Sequence, residues 1–134
     1  MEQSLSTQTF KKKERLCSRK AIEELFISGK SFFISPVKIQ INTSEVTGLS
    51  NIEVLISVPK RNIRHATDRN RMKRLLRESY RKRKILLLDS CKPNTYYSMA
   101  LLFTGKKMTD FKTIDSTIEL LILQLLKSGA FLEK

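Results

Sequence analysis

A two-layer α/β sandwich is the fold class this sequence predicts. Two amphipathic helical stretches and a basic one alternate with three short β-rich runs, in the order α-β-β-α-β-α. Three short strands bury a face only when helices cover it, which makes a helix-covered sheet the economical solution. A length of 134 residues suits one domain, and a hydrophobic content of 40% suffices for a modest core.

Residues 1–9 are polar and unpatterned and are expected to form a loose tail, with a single domain from 10 to 134. Ser18 is a candidate N-cap for the first helix. Ala21, Ile22, Leu25 and Phe26 fall at helical spacing, and Gly29 can close the helix. In FFISPVKIQI, Val37, Ile39 and Ile41 alternate with Lys38 and Gln40, as in a half-buried strand. Pro36 marks an edge position or a bend there. NTSEVTGLSN reads as a turn, and IEVLISV as a second strand that Pro59 stops.

The next helix is expected to start near Thr67 or Asp68. LDSCKPNTYY reads as a loop, SMALLF as a short buried central strand, and TGKKMTD as a turn. The last helix carries a stripe of Phe111, Ile114, Ile118, Leu121, Ile122 and Leu125. Thr109 or Asp110 can cap it, and Gly129 can end it.

The charge distribution is uneven. The chain carries a net charge of +13, and the segment from Lys60 to Lys84 holds twelve Lys or Arg against two acids, a local excess of ten. On a helix, Met72, Leu75, Leu76 and Ser79 share one face. Asn70, Lys73, Arg74, Arg77, Arg81 and Lys84 share a broad opposite arc, with Arg71 and Glu78 on one shoulder and Arg69 on the other. A merely solvated face mixes signs and gains a few tenths of a kcal/mol per opposite pair. Here Lys73, Arg77 and Arg81 repeat like charge at i,i+4, which a polyanion would relieve. Arginine forks suit phosphate oxygens, and Asn70 adds a donor and an acceptor for a base edge or a 2′-hydroxyl. Nucleic acid is the partner this pattern implies; charge alone leaves DNA and RNA open.

Other chemistry is thinly represented. No apolar run approaches the roughly 20 residues that span a bilayer. The N-terminus lacks the apolar core of a signal peptide. One histidine (His65) and two cysteines (Cys17 and Cys91) are too few for a zinc site of the usual kind. A reduced, cytoplasmic protein is expected. His65 reads as a polar loop residue, and Cys17 as a small residue beside a helix cap.

The run DRNRMKRLLRESYR resembles the signature of the bacterial ribonuclease P protein component, with Arg69-Asn70-Arg71, then Lys73-Arg74, then Arg77-Glu78. SVPKR is similar to that family's preceding strand end, with Pro59 in place of a serine. FKKKERLCSRKAIEELFISGKS is similar to its N-terminal block, with Arg15, Leu16, Phe26 and Gly29 in order. The resemblance covers roughly residues 10–127. It implies a left-handed βαβ crossover through the basic helix, like the second domain of a small-subunit ribosomal protein. It also implies a subunit of the ribonucleoprotein endonuclease that removes the 5′ leader from precursor tRNA. In that family ribonuclease P RNA performs the chemistry with Mg²⁺ bound mainly by the RNA; no membrane and no obligate protein partner are expected.

Carried over by position, Arg69, Asn70, Arg71, Lys73, Arg74, Arg77 and Arg81 are expected to contact the RNA subunit. Phe26 matches an aromatic of the leader groove. Ile22 and Gln40 stand where many members have aromatic rings, and for Ile22 core packing is the stronger expectation. Without those rings the groove lacks stacking platforms worth roughly 1–3 kcal/mol per base, so Phe33 and Lys38 are expected to take part, with Arg15 and Lys60. The alternative is a standalone DNA- or ribosomal-RNA-binding protein. No zipper or docking motif follows the basic helix, and no carboxylate cluster suggests a protein-only nuclease.

Overall fold

The computed structural model describes residues 15–16, 18–45, 51–91 and 94–128. The elements in chain order are α1 (Arg19–Ser28), β1 (Lys30–Ile34), β2 (Val37–Glu45), β3 (Asn51–Ser57), α2 (Ala66–Asp89), β4 (Thr95–Phe103) and α3 (Phe111–Lys127). The strands form one sheet in the order β1-β2-β4-β3. Pairing is antiparallel except between β3 and β4, which run parallel.

A small sheet covered by helices is therefore the architecture, with one more strand than the sequence pattern indicates. FFISPVKIQI is two strands: the chain reverses at Ser35–Pro36, a cis peptide, and Ile34 pairs with Val37. The bend expected at Pro36 is a hairpin. β2 also runs through Asn42, Thr43 and Ser44 to Glu45, into the stretch expected to be a turn. Residues with turn propensity extend here because β4 offers a paired partner as far as Thr95. For the same reason β4 begins at Thr95, inside the expected loop.

Alternation along the strands separates two faces. Val37, Ile39 and Ile41 of β2, Ile52 and Val54 of β3, and Tyr97, Met99, Leu101 and Phe103 of β4 join α2 and α3 in the main core. The helices contribute Met72, Leu76, Tyr80 and Leu87 from α2, and Ile114, Ile118, Leu121, Ile122 and Leu125 from α3. Burying one such side chain is worth about 1.5–3 kcal/mol. On the other face, Leu25 of α1 packs with Leu16 and Ala100, flanked by Ala21, Ile22, Leu55, Tyr96 and Leu102. β4 lies between β2 and β3 and is apolar towards both helical layers, which is why SMALLF reads as a continuous apolar run.

The caps follow the sequence closely. Ser18 Oγ accepts from the Ala21 amide at 3.2 Å, and Asp110 Oδ1 accepts from the Thr113 amide at 3.2 Å. Gly29 closes α1, its amide donating to the Leu25 carbonyl at 2.9 Å. Its backbone is extended (φ −73°), so the glycine is not there for a left-handed turn. A Cβ at this position would stand 2.5 Å from the Leu25 carbonyl oxygen and 3.0 Å from that of Ile41, so space demands glycine. α3 closes at Ser128; Gly129 lies outside the described residues. α2 starts at Ala66, within two residues of the expected position, with His65 as an N-cap that makes no side-chain capping bond.

One polar junction locks α2 to α3. Asp115 accepts from Ser79 Oγ at 2.8 Å and from Arg83 Nη2 at 2.9 Å, and Lys82 Nζ lies 3.5 Å away. Lys82 also sits 5.3 Å from the Phe111 ring centroid, within cation–π range. The Arg83 guanidinium holds the Asp115 carboxyl below the usual aspartate value of 3.8, with burial opposing and Ser79 assisting.

This packing sets the stability expected of two variants. Gly29→Ala should lower unfolding stability by about 1–3 kcal/mol in a denaturant titration, because the methyl group meets backbone. Asp115→Ala should cost about 2 kcal/mol. Because the Asp115 pKa is depressed in the folded state, its contribution is complete above the unfolded value and is lost as pH falls through the folded one. Wild-type stability measured between pH 6 and pH 3 (about the range where aspartates titrate) should therefore fall more steeply than that of Asp115→Asn.

Candidate nucleic-acid interface

α2 runs between two parallel strands, so one side of it must face the sheet and the other must face away. Met72, Leu76, Ser79 and Tyr80 are buried on the inner side. Asn70, Arg71 and Arg74 are exposed on the outer side, and Lys73, Arg77 and Arg81 are half-buried along its flank. The expected division into a core face and a cationic face is therefore present through the first four turns.

Towards its C-terminus the helix uses its charge differently. Lys82 and Arg83 belong to the Asp115 junction and turn towards α3. Lys84, expected on the outer arc, is 2% exposed. It stands four residues after Tyr80 and three before Leu87, both buried, and so shares their stripe. Arg81 forms an ion pair with Glu78, its Nε donating to Oε1 at 3.3 Å. That hydrogen bond holds the Glu78 carboxyl below its ordinary value, against a smaller opposing effect of burial. Arg69 has an anchoring role: its Nη1 donates to the carbonyls of Ile63 at 3.1 Å and Arg64 at 2.8 Å. Of the seven α2 residues expected at RNA, Asn70, Arg71 and Arg74 are the most fully presented to solvent.

Lys73 and Arg77 meet Arg15 at a cavity of about 320 Å³. Arg15 bridges to Val54 on the edge strand β3, and the Leu16 amide donates to the Val54 carbonyl at 2.9 Å. This short bridge sets Arg15 and Leu16 against the sheet edge and brings Arg15 beside α2. Leu55 and Ile56 complete much of the cavity wall.

The residues expected at the leader are dispersed. Phe33 and Lys38 are directly paired across β1 and β2, hence on one face, and Gln40 lies two residues along on that face. It is the face on which α1 packs. Phe33 is 56% exposed and Phe26 is 44% exposed, so both rings are available for stacking. Gln40, in contrast, is 7% exposed, because α1 lies over the β2–β4 surface where it pairs with Ala100. Ile22 packs against the Leu16, Leu25 and Ala100 cluster, as core packing requires. Gln40 and Ile22 are thus placed as packing residues, while Phe26, Phe33 and half-buried Lys38 line the accessible surface. Lys60 is exposed in the turn after β3, at the opposite sheet edge from β1.

A second cluster of cations stands where the sequence pattern indicates turns. Arg61, Arg64, Lys106 and Lys107 line another cavity of about 320 Å³ at the end of the sheet. The signal available in the sequence is the Lys-Lys pair within TGKKMTD, which has meaning only once β3 and β4 are known to leave the sheet together.

Groups for catalysis or metal binding are sparse. Among the described residues there is no group of three or more His, Cys, Asp or Glu that could hold a metal ion. Burial pushes the Cys91 thiol up to about 11, away from nucleophilic use. Cys17 lies outside the described residues. His65 is exposed at the start of α2. No helix among the described residues is long and apolar enough to cross a membrane.

Comparison with known proteins identifies the frame in which these features sit. Residues 10–125 match the family model described as Ribonuclease P. The ribonuclease P protein component of Porphyromonas gingivalis is 31% identical over 115 residues, covering 85% of this chain and 84% of that protein. That of Chlorobium phaeobacteroides is 40% identical over 90 residues, covering 65% and 62%. In fold, the RNase P protein of Staphylococcus aureus superposes with a TM-score of 0.62 at 17% identity, over 83% of this chain and 94% of that one. The RNase P protein from Thermotoga maritima gives 0.59 at 24% identity, over 81% and 94%. The match spans α1, the whole sheet and the basic helix α2, and on it the chain belongs to the ribonuclease P protein-component family.

Proposed function

We propose that this chain is the protein subunit of a ribonuclease P ribonucleoprotein. It binds the catalytic RNA subunit through α2 and contacts the 5′ leader of precursor tRNA, assisting endonucleolytic release of the mature 5′ end. The observation that carries this reading is the outer arc of α2, with Asn70, Arg71 and Arg74 exposed beside half-buried Lys73 and Arg77, in a chain of this family.

The physical role of the arc is electrostatic and positional. An RNA fold that brings phosphates together is opposed by their mutual repulsion. A row of cations held on a rigid helix offsets that repulsion without needing to be ordered on binding. Arginine forks fix the register of phosphate oxygens, and Asn70 can report on a base edge or a 2′-hydroxyl. The leader reading rests on the exposed rings of Phe26 and Phe33 with Lys38 between sheet and solvent. Single strands bind such surfaces through stacking and through backbone charge. Arg15, beside Lys73 and Arg77, would join the two regions. Mg²⁺ is the metal proposed for the complex, held mainly by the RNA subunit. A cytoplasmic location fits this role.

Reconstitution tests the proposal. The protein should accelerate 5′ maturation of precursor tRNA by a bacterial ribonuclease P RNA at limiting Mg²⁺, and should cleave nothing alone. Arg71→Ala combined with Arg74→Ala removes two cations from the phosphate-facing arc. The double variant should raise the protein concentration needed for half-maximal stimulation by about tenfold or more. Cleavage by RNA-free protein, or no stimulation of an RNA that is active at high Mg²⁺, would contradict the proposal.

A further inference from the structure

The cluster of Arg61, Arg64, Lys106 and Lys107 is built on two pinned loops. Because β3 and β4 are parallel, the chain leaves both at the same end of the sheet, at residues 58–65 and 104–110. Asn62 Nδ2 donates to the Phe103 carbonyl at 3.1 Å and ties the first loop to the end of β4. The amides of Asn62 and Ile63 donate to the Pro59 carbonyl at 3.0 and 3.2 Å, and Ile63 is buried in the main core. Arg69 holds the carbonyls of Ile63 and Arg64. On the second loop the Thr104 amide donates to the Pro36 carbonyl at 2.8 Å. Gly105 is so close to the Phe103 ring that a Cβ there would stand 2.8 Å from it.

These anchors fix the backbones and leave the four cations exposed. They line one cavity with half-buried Asp68 as its acid, and none of the four is ion-paired among the described residues. Four like charges held together by rigid loops raise the energy of the free protein, and a bound polyanion removes that cost. Arg64 lies just before α2 and Asp68 in its first turn, about two turns and one turn before Arg71, so the cluster adjoins the exposed arc.

We propose that Arg61, Arg64, Lys106 and Lys107 form a second phosphate-binding site that grips the backbone of the RNA subunit beyond the α2 arc. This rests on the RNA-binding reading of α2 and extends it to the end of the sheet. Binding there is by charge and is insensitive to sequence, because the cluster offers cations on exposed stems and no aromatic platform.

The test is a salt series of binding to a bacterial ribonuclease P RNA, with wild type, Lys106→Gln/Lys107→Gln and Arg71→Gln/Arg74→Gln compared. The loop pair should lower the slope of log affinity against log salt by about 1.5 and weaken binding by about tenfold at moderate salt. Its thermal unfolding should match wild type, since both lysines are exposed. Precursor tRNA should bind the preassembled complex as it does wild type. If the Arg71/Arg74 variant shows a reduced slope and the loop variant does not, the second site is refuted while the α2 reading stands. If neither slope changes, both are refuted. A weakening seen only with precursor tRNA would also refute the assignment to the RNA subunit.

Discussion

The parallel pairing of β3 with β4 is the constraint on which the rest of the structure depends. Antiparallel neighbours can be joined by a tight turn, but parallel ones need a crossover long enough to return the chain to its starting end. In this protein that crossover is α2 itself. The helix must therefore lie along the sheet, bury one side, and present the other. It is anchored at its start by Arg69 and Asn62 on the loop before it, and in its later turns by Asp115. A helix fixed so firmly can display like charges that would otherwise disfavour folding, because the core supplies what the surface costs.

The same constraint sorts the positive charge by purpose. Ten of the thirteen net positive charges fall between Lys60 and Lys84, yet the basic residues there do three different things. Lys82 and Arg83 join two helices, and Arg69 holds a loop. Arg71 and Arg74 face solvent on α2, and Arg61 and Arg64 do so on the preceding loop. A count of basic residues thus overstates the surface available to a polyanion. Two of the cations that matter most at the sheet end, Lys106 and Lys107, lie outside the basic segment altogether.

The fold class, both outer helices and the caps at Ser18 and Asp110 were legible in the sequence, because each follows from local spacing and side-chain chemistry. The β1–β2 hairpin was legible in principle: the inward apolar positions are even before Pro36 (Phe32, Ile34) and odd after it (Val37, Ile39, Ile41), a parity shift that a single strand cannot make. The burial of Lys84 and Gln40 was not legible, since it depends on which neighbours the topology supplies. Nor was the role of Arg69: it lies within the motif that resembles the family signature, and only the loop geometry shows what its guanidinium holds. The need for glycine at position 29 is partly of the same origin: besides the Leu25 carbonyl of its own helix, the Ile41 carbonyl of β2, twelve residues away, crowds the site.

The measurement that addresses the central claim most directly is site-specific photo-crosslinking to ribonuclease P RNA. A photoreactive amino acid would be placed at Arg74 on the outer arc of α2 and, in a second protein, at exposed Gln124 on α3. If α2 carries the RNA, position 74 should crosslink strongly and position 124 should not. Equal crosslinking from both, or crosslinking from 124 alone, would mean that the cationic face of α2 is not the surface that holds the RNA.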